Sequence, residues 1–276
     1  MTARADAGSI PTAHGRVGRL TWPGRPDGSA LLLLHSLGQA ADAWSAVAGA
    51  LAPEHTVYAL DLPGHGASDA PADATAAAAA DLLAPAVRGV AGETPGPLHI
   101  AAHAYAAPLL AVALERLGPL PVASLTFVCP LGVVPPATDP VPALPWPKAM
   151  AARALARRPE RVRDALAFLC ARPERVPDAA WQALSASLAR AEALWRFGPD
   201  LLRDVPALLT ALARLGRGAR FVWCDRDPVF AAAPAAAAVA AAPGPRHSQV
   251  RLDDAGHLPM LEAPARLAAV LRPDGG

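Results

Sequence analysis

"LHIAAHAYAAP", residues 98–108, has the shape of a strand that runs through a turn of small residues into a helix. The apolar run "LHIAAH" leads in, and "AAPLLAVALERLG" leads out with helical periodicity. The tip of the turn is Ala104, a residue with no reactive atom. Whether this turn belongs to a functional site depends on what the rest of the chain places around it.

Working outward, short apolar runs alternate with helical stretches. "VGRLTW" (17–22) alternates and reads as an early edge strand. "ALLLLHS" (30–36) is continuous, as expected of a strand buried on both faces. "HTVYALDLPGHG" (55–66) is a second such strand ending in a Gly-rich turn, and "VASLTFVCPLG" (122–132) follows the helix after Ala104. "DAWSAVAGALAP" and "ADATAAAAADLLAPAVRGVAG" read as helices between these strands. "ARFVWCDRDP" (219–228) and "SQVRLDDAGH" (248–257) come much later. Strands alternating with helices predict a mostly parallel sheet flanked by helices, with right-handed crossovers.

From about Val133 to Asp200 the rhythm breaks. This stretch opens Pro-rich, as "VVPPATDPVPALPWP", and continues as helical segments. "RPERV" occurs at 158–162 and 172–176, each copy with Pro and Glu where a helix can begin, so two helix starts are expected. The predicted organisation is a core of residues 1–132 and 201–276 carrying an inserted helical cap, 133–200.

Composition excludes several function classes. The chain has 276 residues, 53% hydrophobic and 18% charged, with a net charge of +1. No basic field or aromatic-basic stripe suits nucleic acid, and no apolar run reaches the ~18 residues that span a bilayer. Cys129, Cys170 and Cys224 are widely spaced, with no CxxC pair for a metal or redox couple. With no apolar targeting segment at the N-terminus, a soluble cytoplasmic protein with reduced thiols is expected. No metal or cofactor is expected, and the expected partner is a small-molecule substrate or ligand; oligomeric state is left open.

In open α/β sheets, ligands sit beyond the carboxyl ends of the strands. Those ends carry His35-Ser36-Leu37-Gly38, Asp61 to Gly66, His103-Ala104-Tyr105, Cys129-Pro130, Asp225 to Pro228 and Asp254 to His257. "WCDRDPVF", "AGHLPMLEAP" and "LPGHGASDAP" then resemble, in the right order, the acid turn, histidine loop and second-strand loop of the α/β-hydrolase superfamily. "HSLGQAADAW" (35–44) is similar to the corresponding loop of the enol-lactonase and ester-hydrolase branch. The resemblance implies an α/β-hydrolase fold, with Asp227 as the acid and His257 as the histidine. It makes Ala102-His103-Ala104-Tyr105-Ala106 the nucleophile elbow, and it implies an oxyanion hole formed by the backbone N–H groups of Leu37 and Tyr105.

The departure lies at Ala104, where the superfamily places its nucleophile. In a serine triad, loss of the serine removes about six orders of magnitude, and the oxyanion hole alone retains roughly 10³–10⁴ over water. Chemistry that needs only a base survives such a loss, since His257 supported by Asp227 is still a competent base. The expected function is therefore action on a small carbonyl, ester or lactone compound by general-base catalysis, without an acyl-enzyme. Two alternatives stand beside it: an ordinary ester or lactone hydrolase carrying an inactivating change, and a non-catalytic binder of a small apolar ligand or a partner.

Ser36, Cys129 and Met260 are expected near the pocket, with Ser36 read as structural and Cys129 as a small buried hydrophobe. His65 and His103 read as parts of their turns. The Tyr105 ring reads equally as packing or as a proton donor. Arg153, Arg157, Arg158, Arg161 and Arg163 read as a solvated helix face, and Trp146, Trp181 and Trp195 as packing of the cap on the core. The elbow also predicts a positive φ at Ala104, with its Cβ toward His257, and a hydrogen bond between His257 and Asp227.

Overall fold

The computed structural model describes residues 5–25, 28–133, 154, 156–198, 200–203 and 207–273. Eight strands form one sheet: β1 (Asp6–Thr12), β2 (Gly15–Trp22), β3 (Ala30–Leu34), β4 (Thr56–Leu60), β5 (Leu98–His103), β6 (Val122–Val128), β7 (Arg220–Cys224) and β8 (Ser248–Leu252). Their order is β1-β2-β4-β3-β5-β6-β7-β8. β1, β2 and β4 pair antiparallel, and every pairing from β4 to β8 is parallel. β3 is buried at all five positions, which is why its sequence is an unbroken apolar run.

The helices α1 (Ser45–Leu51), α2 (Ala76–Glu93) and α3 (Ala106–Leu117) follow β3, β4 and β5. Thr75 caps α2, its hydroxyl accepting from the Ala78 N–H at 3.0 Å. The alanine-rich face of α2 packs against α3, the short side chains letting the two backbones approach.

Two expectations need correction. "VGRLTW" is not at the sheet edge; β1 pairs outside it. β1 escapes a pattern reading because only Ile10 along it is buried, so the strand carries no apolar alternation. The second "RPERV" does not start an α-helix. Pro173–Arg175 makes a single 3-10 turn, and the helix begins at Asp178. Pro177 holds the preceding Val176 in extended backbone, which stops the turn from propagating. The first copy does start a helix, at Pro159.

Between β6 and β7 the described residues are helical: α4 (Pro159–Leu166), α5 (Asp178–Arg190), α6 (Glu192–Phe197), α7 (Asp200–Arg203) and α8 (Leu208–Leu215). Within that stretch the Pro-rich run "VVPPATDPVPALPWP" from Val134 onward, with Trp146, and Arg153 lie outside the described residues. α6 docks directly on the turn after β4. The Ala193 N–H donates to the Gly64 carbonyl at 3.0 Å, and Gly64 sits at φ +73° with its Cα against Ala193. A side chain there would collide with α6 and strain the backbone.

Buried polar groups lock the strand-end loops together. Asp61 accepts from the Ala41 N–H at 2.7 Å and the Ala67 N–H at 2.9 Å, tying the turn after β4 to the segment before α1. His35 accepts from the Leu62 N–H at 2.9 Å, so its Nδ1–H is the donor to the Ser36 carbonyl at 2.7 Å. Its ring meets that of the fully buried His65 edge-on, centroids 5.5 Å apart. His103 ends β5 and lies 2.9 Å from the His257 carbonyl through Nε2.

Burial holds His35 at about 4, His65 at about 3 and His103 well below its ordinary value. All three are therefore neutral in the fold and take up protons on unfolding below about pH 6.5. Their contribution is complete above that pH and is lost as the pH falls. Each accounts for about 1.4 kcal/mol per pH unit once its unfolded form is charged. Urea unfolding should show stability falling steeply between pH 6.5 and 5; an unchanged midpoint over that range would contradict neutral burial.

Candidate active site

Only Ala104 and Tyr105 separate the end of β5 at His103 from the start of α3 at Ala106. Ala104 has φ +46°, a left-handed backbone that costs a non-glycine residue about 1–3 kcal/mol. The conformation is over-determined by its neighbours. The Ala104 N–H donates to the Val128 carbonyl at 3.0 Å, while its own carbonyl accepts from Leu131 at 3.1 Å and Ala107 at 3.2 Å. Ala102 and Ala106 on either side are fully buried, so larger residues there would push strand and helix apart. The turn thus retains the strained geometry that the sequence reading requires, although its central side chain is a methyl.

Asp227 lies in the turn after β7. Its Oδ1 accepts from the N–H groups of Val229 at 2.7 Å and Phe230 at 3.2 Å. Its Oδ2 is 2.8 Å from Nδ1 of His257, in the loop after β8. Both side chains are nearly inaccessible. Burial works against charge on His257, but the hydrogen-bonded Asp227 carboxylate first, and the Cys129 sulfur second, outweigh it and raise the imidazole to about 9. Since Nδ1 is engaged with Asp227, Nε2 is left on the cavity side.

The His257 loop is fastened from two directions. The His257 N–H donates to the Leu169 carbonyl at 2.6 Å, which ties the loop to the helical segment. Glu262, itself buried, accepts from the Gly256 N–H at 2.6 Å and from the Arg172 N–H at 3.0 Å. The sequence reading passed over Glu262, although a carboxylate inside the apolar run "HLPMLEAP" was a visible signal of a buried structural acceptor. It also passed over Arg196.

Above these groups is a cavity of about 530 Å³, within the range of small-molecule sites. Ser36, Leu37, His103, Ala104, Tyr105 and His257 line its floor. Leucines from the helical segment, with Trp195 and Phe197, line the remainder. Of the tryptophans expected to pack, Trp181 is buried and Trp195 faces this cavity. The Tyr105 N–H, at the start of α3, lies 3.3 Å from the Ser36 hydroxyl oxygen. Burial pushes the Tyr105 phenol up to about 12, so it stays protonated.

Two pocket expectations are corrected. Cys129 and Met260 are not among the residues that line the cavity; both are buried in the core. Cys129 leaves β6 at φ +45°, with its thiol beside both Asp227 and His257. The neighbouring Cys224 sulfur and burial hold this thiol well above its ordinary value, so it remains an unreactive S–H. Donor atoms of Cys129, Asp227 and His257 lie within 4.8 Å of one another. Asp227 and His257 are already at hydrogen-bond distance, closer than the ~3.3 Å that two ligands at ~2 Å from one tetrahedral metal must keep. The cluster is an ion-pair geometry and not a metal-binding one.

Replacing Glu262 by Ala leaves two buried N–H groups without an acceptor, at about 1–3 kcal/mol each. The variant should lose about 2–5 kcal/mol in urea unfolding. A loss below about 0.5 kcal/mol would show that Glu262 does not hold the loop.

With this geometry in view, comparison with known proteins is informative. A family model described as "Alpha/beta hydrolase family" matches residues 31–270. No curated protein matches by sequence. Among solved structures, the chain is similar to a serine-to-alanine variant of the N-formylmaleamic acid deformylase from Pseudomonas putida, with TM-score 0.73, 22% identity, and coverage of 96% of this chain and 100% of that one. It is also similar to a malate-bound thermophilic esterase from Thermogutta terrifontis, with TM-score 0.72, 22% identity and 97% of both chains covered. The naproxen esterase of Bacillus subtilis aligns with TM-score 0.74 and 17% identity, over 96% of this chain and 90% of that one. Identities this low speak for the fold. No helix among the described residues is long and apolar enough to cross a membrane. The sheet, the order of the strand-end loops and the match over residues 31–270 agree: the chain belongs to the alpha/beta hydrolase family.

Proposed function

We propose that this protein acts on a small carbonyl, ester or lactone compound by general-base catalysis from the His257–Asp227 pair, without an acyl-enzyme. The observation that carries the reading is the 2.8 Å hydrogen bond between Nδ1 of His257 and Asp227, kept beside a turn whose strained φ of +46° survives without a nucleophile. Backbone strain with no function attached is free to relax in evolution; here it still presents the Tyr105 N–H to the cavity floor.

In the proposed reaction, water on the cavity side gives a proton to Nε2 of His257 as its oxygen bonds to the substrate carbonyl carbon. The carbonyl π electrons move onto oxygen, and the N–H groups of Tyr105 and Leu37 hold the resulting charge. Asp227 fixes the tautomer and stabilises the imidazolium. The imidazolium then returns the proton to the leaving group as the tetrahedral carbon collapses. General-base action contributes about 10²–10⁴ and the backbone donors a comparable factor. The absent Oγ leaves room at Ala104 for the attacking water.

The elevated His257 sets the pH dependence. With the group at about 9, only about one molecule in a hundred carries the free base at pH 7. Hydrolysis of p-nitrophenyl octanoate, corrected for background, should rise about tenfold per pH unit from 6.5 to 8.5 and level off near 9. His257→Ala should reduce the rate at least a hundredfold at pH 8.5. An unchanged rate in that variant, or a flat pH profile, would contradict the proposal.

A further inference from the structure

We propose that the sheet carries a second ligand site, at the amino ends of β6, β7 and β8, and that this site binds a phosphoryl group through Arg220, Arg246 and the Thr126 hydroxyl. It shares no lining residue with the cavity above Ala104, which opens at the carboxyl ends of the strands, and it does not depend on the proposed function.

The register of the strands gathers polar side chains there. Ala101 pairs with Thr126, Thr126 with Arg220 and Arg220 with Ser248, so these four side chains form one row on one face of the sheet. Ser124, two residues before Thr126, lies on the same face and meets His99 at 2.8 Å. β6 is an interior strand, yet Ala123 and Ser124 near its start are exposed, so the helices leave this part of the sheet open. Two cavities meet there, of about 340 Å³ and about 260 Å³, and Ser124, Thr126 and Arg220 line both. The segment that bears Arg246 is fastened beside β7. The Ser248 N–H donates to the Ala219 carbonyl at 3.0 Å, and the Ala219 N–H donates to Nδ1 of His247 at 3.2 Å. Gly218 approaches so closely that a Cβ on it would lie 2.4 Å from the Arg246 carbonyl oxygen.

Charge and donors select the ligand. Among the described residues no carboxylate lines either cavity, whereas Arg220 and Arg246 line the larger and Arg220 and Arg272 the smaller. Arg272 has a partner in Glu54, at a long 3.9 Å. Arg220 and Arg246 pair with no carboxylate among the described residues, so their charge is not already balanced. Arg220 donates through one terminal nitrogen to the Val270 carbonyl at 2.7 Å, in the last turn of the helix Pro264–Leu271. That bond fixes the guanidinium and leaves its other N–H groups for a ligand. The helix end carries roughly half a negative charge, less than the full positive charge it receives. Thr126 is 6% exposed, and its hydroxyl has no hydrogen-bond partner among the described residues. A buried hydroxyl without a partner is costly, and a ligand oxygen in the cavity would satisfy it. His247 accepts at Nδ1, so its Nε2 carries the proton and adds a neutral donor to the wall. A phosphoryl group suits this set, because it takes several hydrogen bonds at once and a forked guanidinium meets two of its oxygens. A flat carboxylate has two oxygens only and leaves part of the set unmet. The smaller cavity, which opens from the same walls, has room for the organic part of a phosphomonoester.

The test is isothermal titration calorimetry of the whole protein with glycerol 3-phosphate, inorganic phosphate, succinate and glycerol, in about 0.15 M sodium chloride so that diffuse attraction is screened. Glycerol 3-phosphate should saturate one site per chain with a Kd of about 1 mM or below, and glycerol should not bind measurably. Arg246→Gln should weaken the ester at least tenfold, through loss of a charge-assisted hydrogen bond. Thr126→Val keeps the shape, removes the hydroxyl and should weaken it about fivefold. Arg246 is exposed, so its variant should unfold in urea at the same midpoint as the unaltered protein. If Thr126→Val does not fold, Arg246→Gln decides. An ester that binds more tightly than inorganic phosphate identifies a phosphomonoester as the ligand, and the reverse order identifies the free ion; either order upholds the site. Absence of saturable binding by both, succinate bound as tightly as either, or affinity unchanged in folded Arg246→Gln or Thr126→Val protein would overturn the inference.

Discussion

A charge-assisted hydrogen bond of 2.8 Å between His257 and Asp227 governs the rest of the site. Both partners are out of water, where an isolated charge is costly. Asp227 offsets that cost with two backbone N–H groups on its other oxygen. The imidazole raised to about 9 reflects this pairing. For a base with a raised value, the stabilisation is complete below the unfolded value of about 6.5 and is lost as pH rises through 9; its size is roughly 3 kcal/mol. The pair is thus an investment of fold stability in one orientation of one ring.

The surrounding architecture keeps that ring in place. Residues of the helical segment supply the Leu169 carbonyl to the His257 N–H, while Glu262 bridges the His257 loop to Arg172. His103 reaches the His257 carbonyl from β5, so the turn at Ala104 and the His257 loop are joined through a neutral, buried imidazole. The methyl of Ala104 at the tip takes part in none of these bonds. The site therefore combines the His257–Asp227 pair, the N-terminus of α3 and a largely apolar cavity.

Much of this was legible in the sequence, for a physical reason. Buried parallel strands read as unbroken apolar runs, so His35, Asp61 and Ala104 could be placed at strand ends before any coordinates; the strand before His257 is mostly exposed, and Asp227 and His257 were legible through the resemblance of "WCDRDPVF" and "AGHLPMLEAP" to family loops. β1 could not, because a strand exposed along most of one edge has no pattern to read. The second "RPERV" misled because Pro177 acts one residue beyond the repeat. Cys129 looked like a pocket residue from its strand-end position, but its thiol is buried beside Asp227 and His257 and does not line the cavity. The direction of the His257 shift depends on a contact between residues thirty positions apart, which no local pattern records.

The most direct test of the central claim is ¹⁵N NMR titration of the His257 ring. The account predicts that the imidazolium persists up to about pH 9, and that Asp227→Asn returns the midpoint to about 6.5 or below. A midpoint at or below 6.5 in the unaltered protein would contradict it.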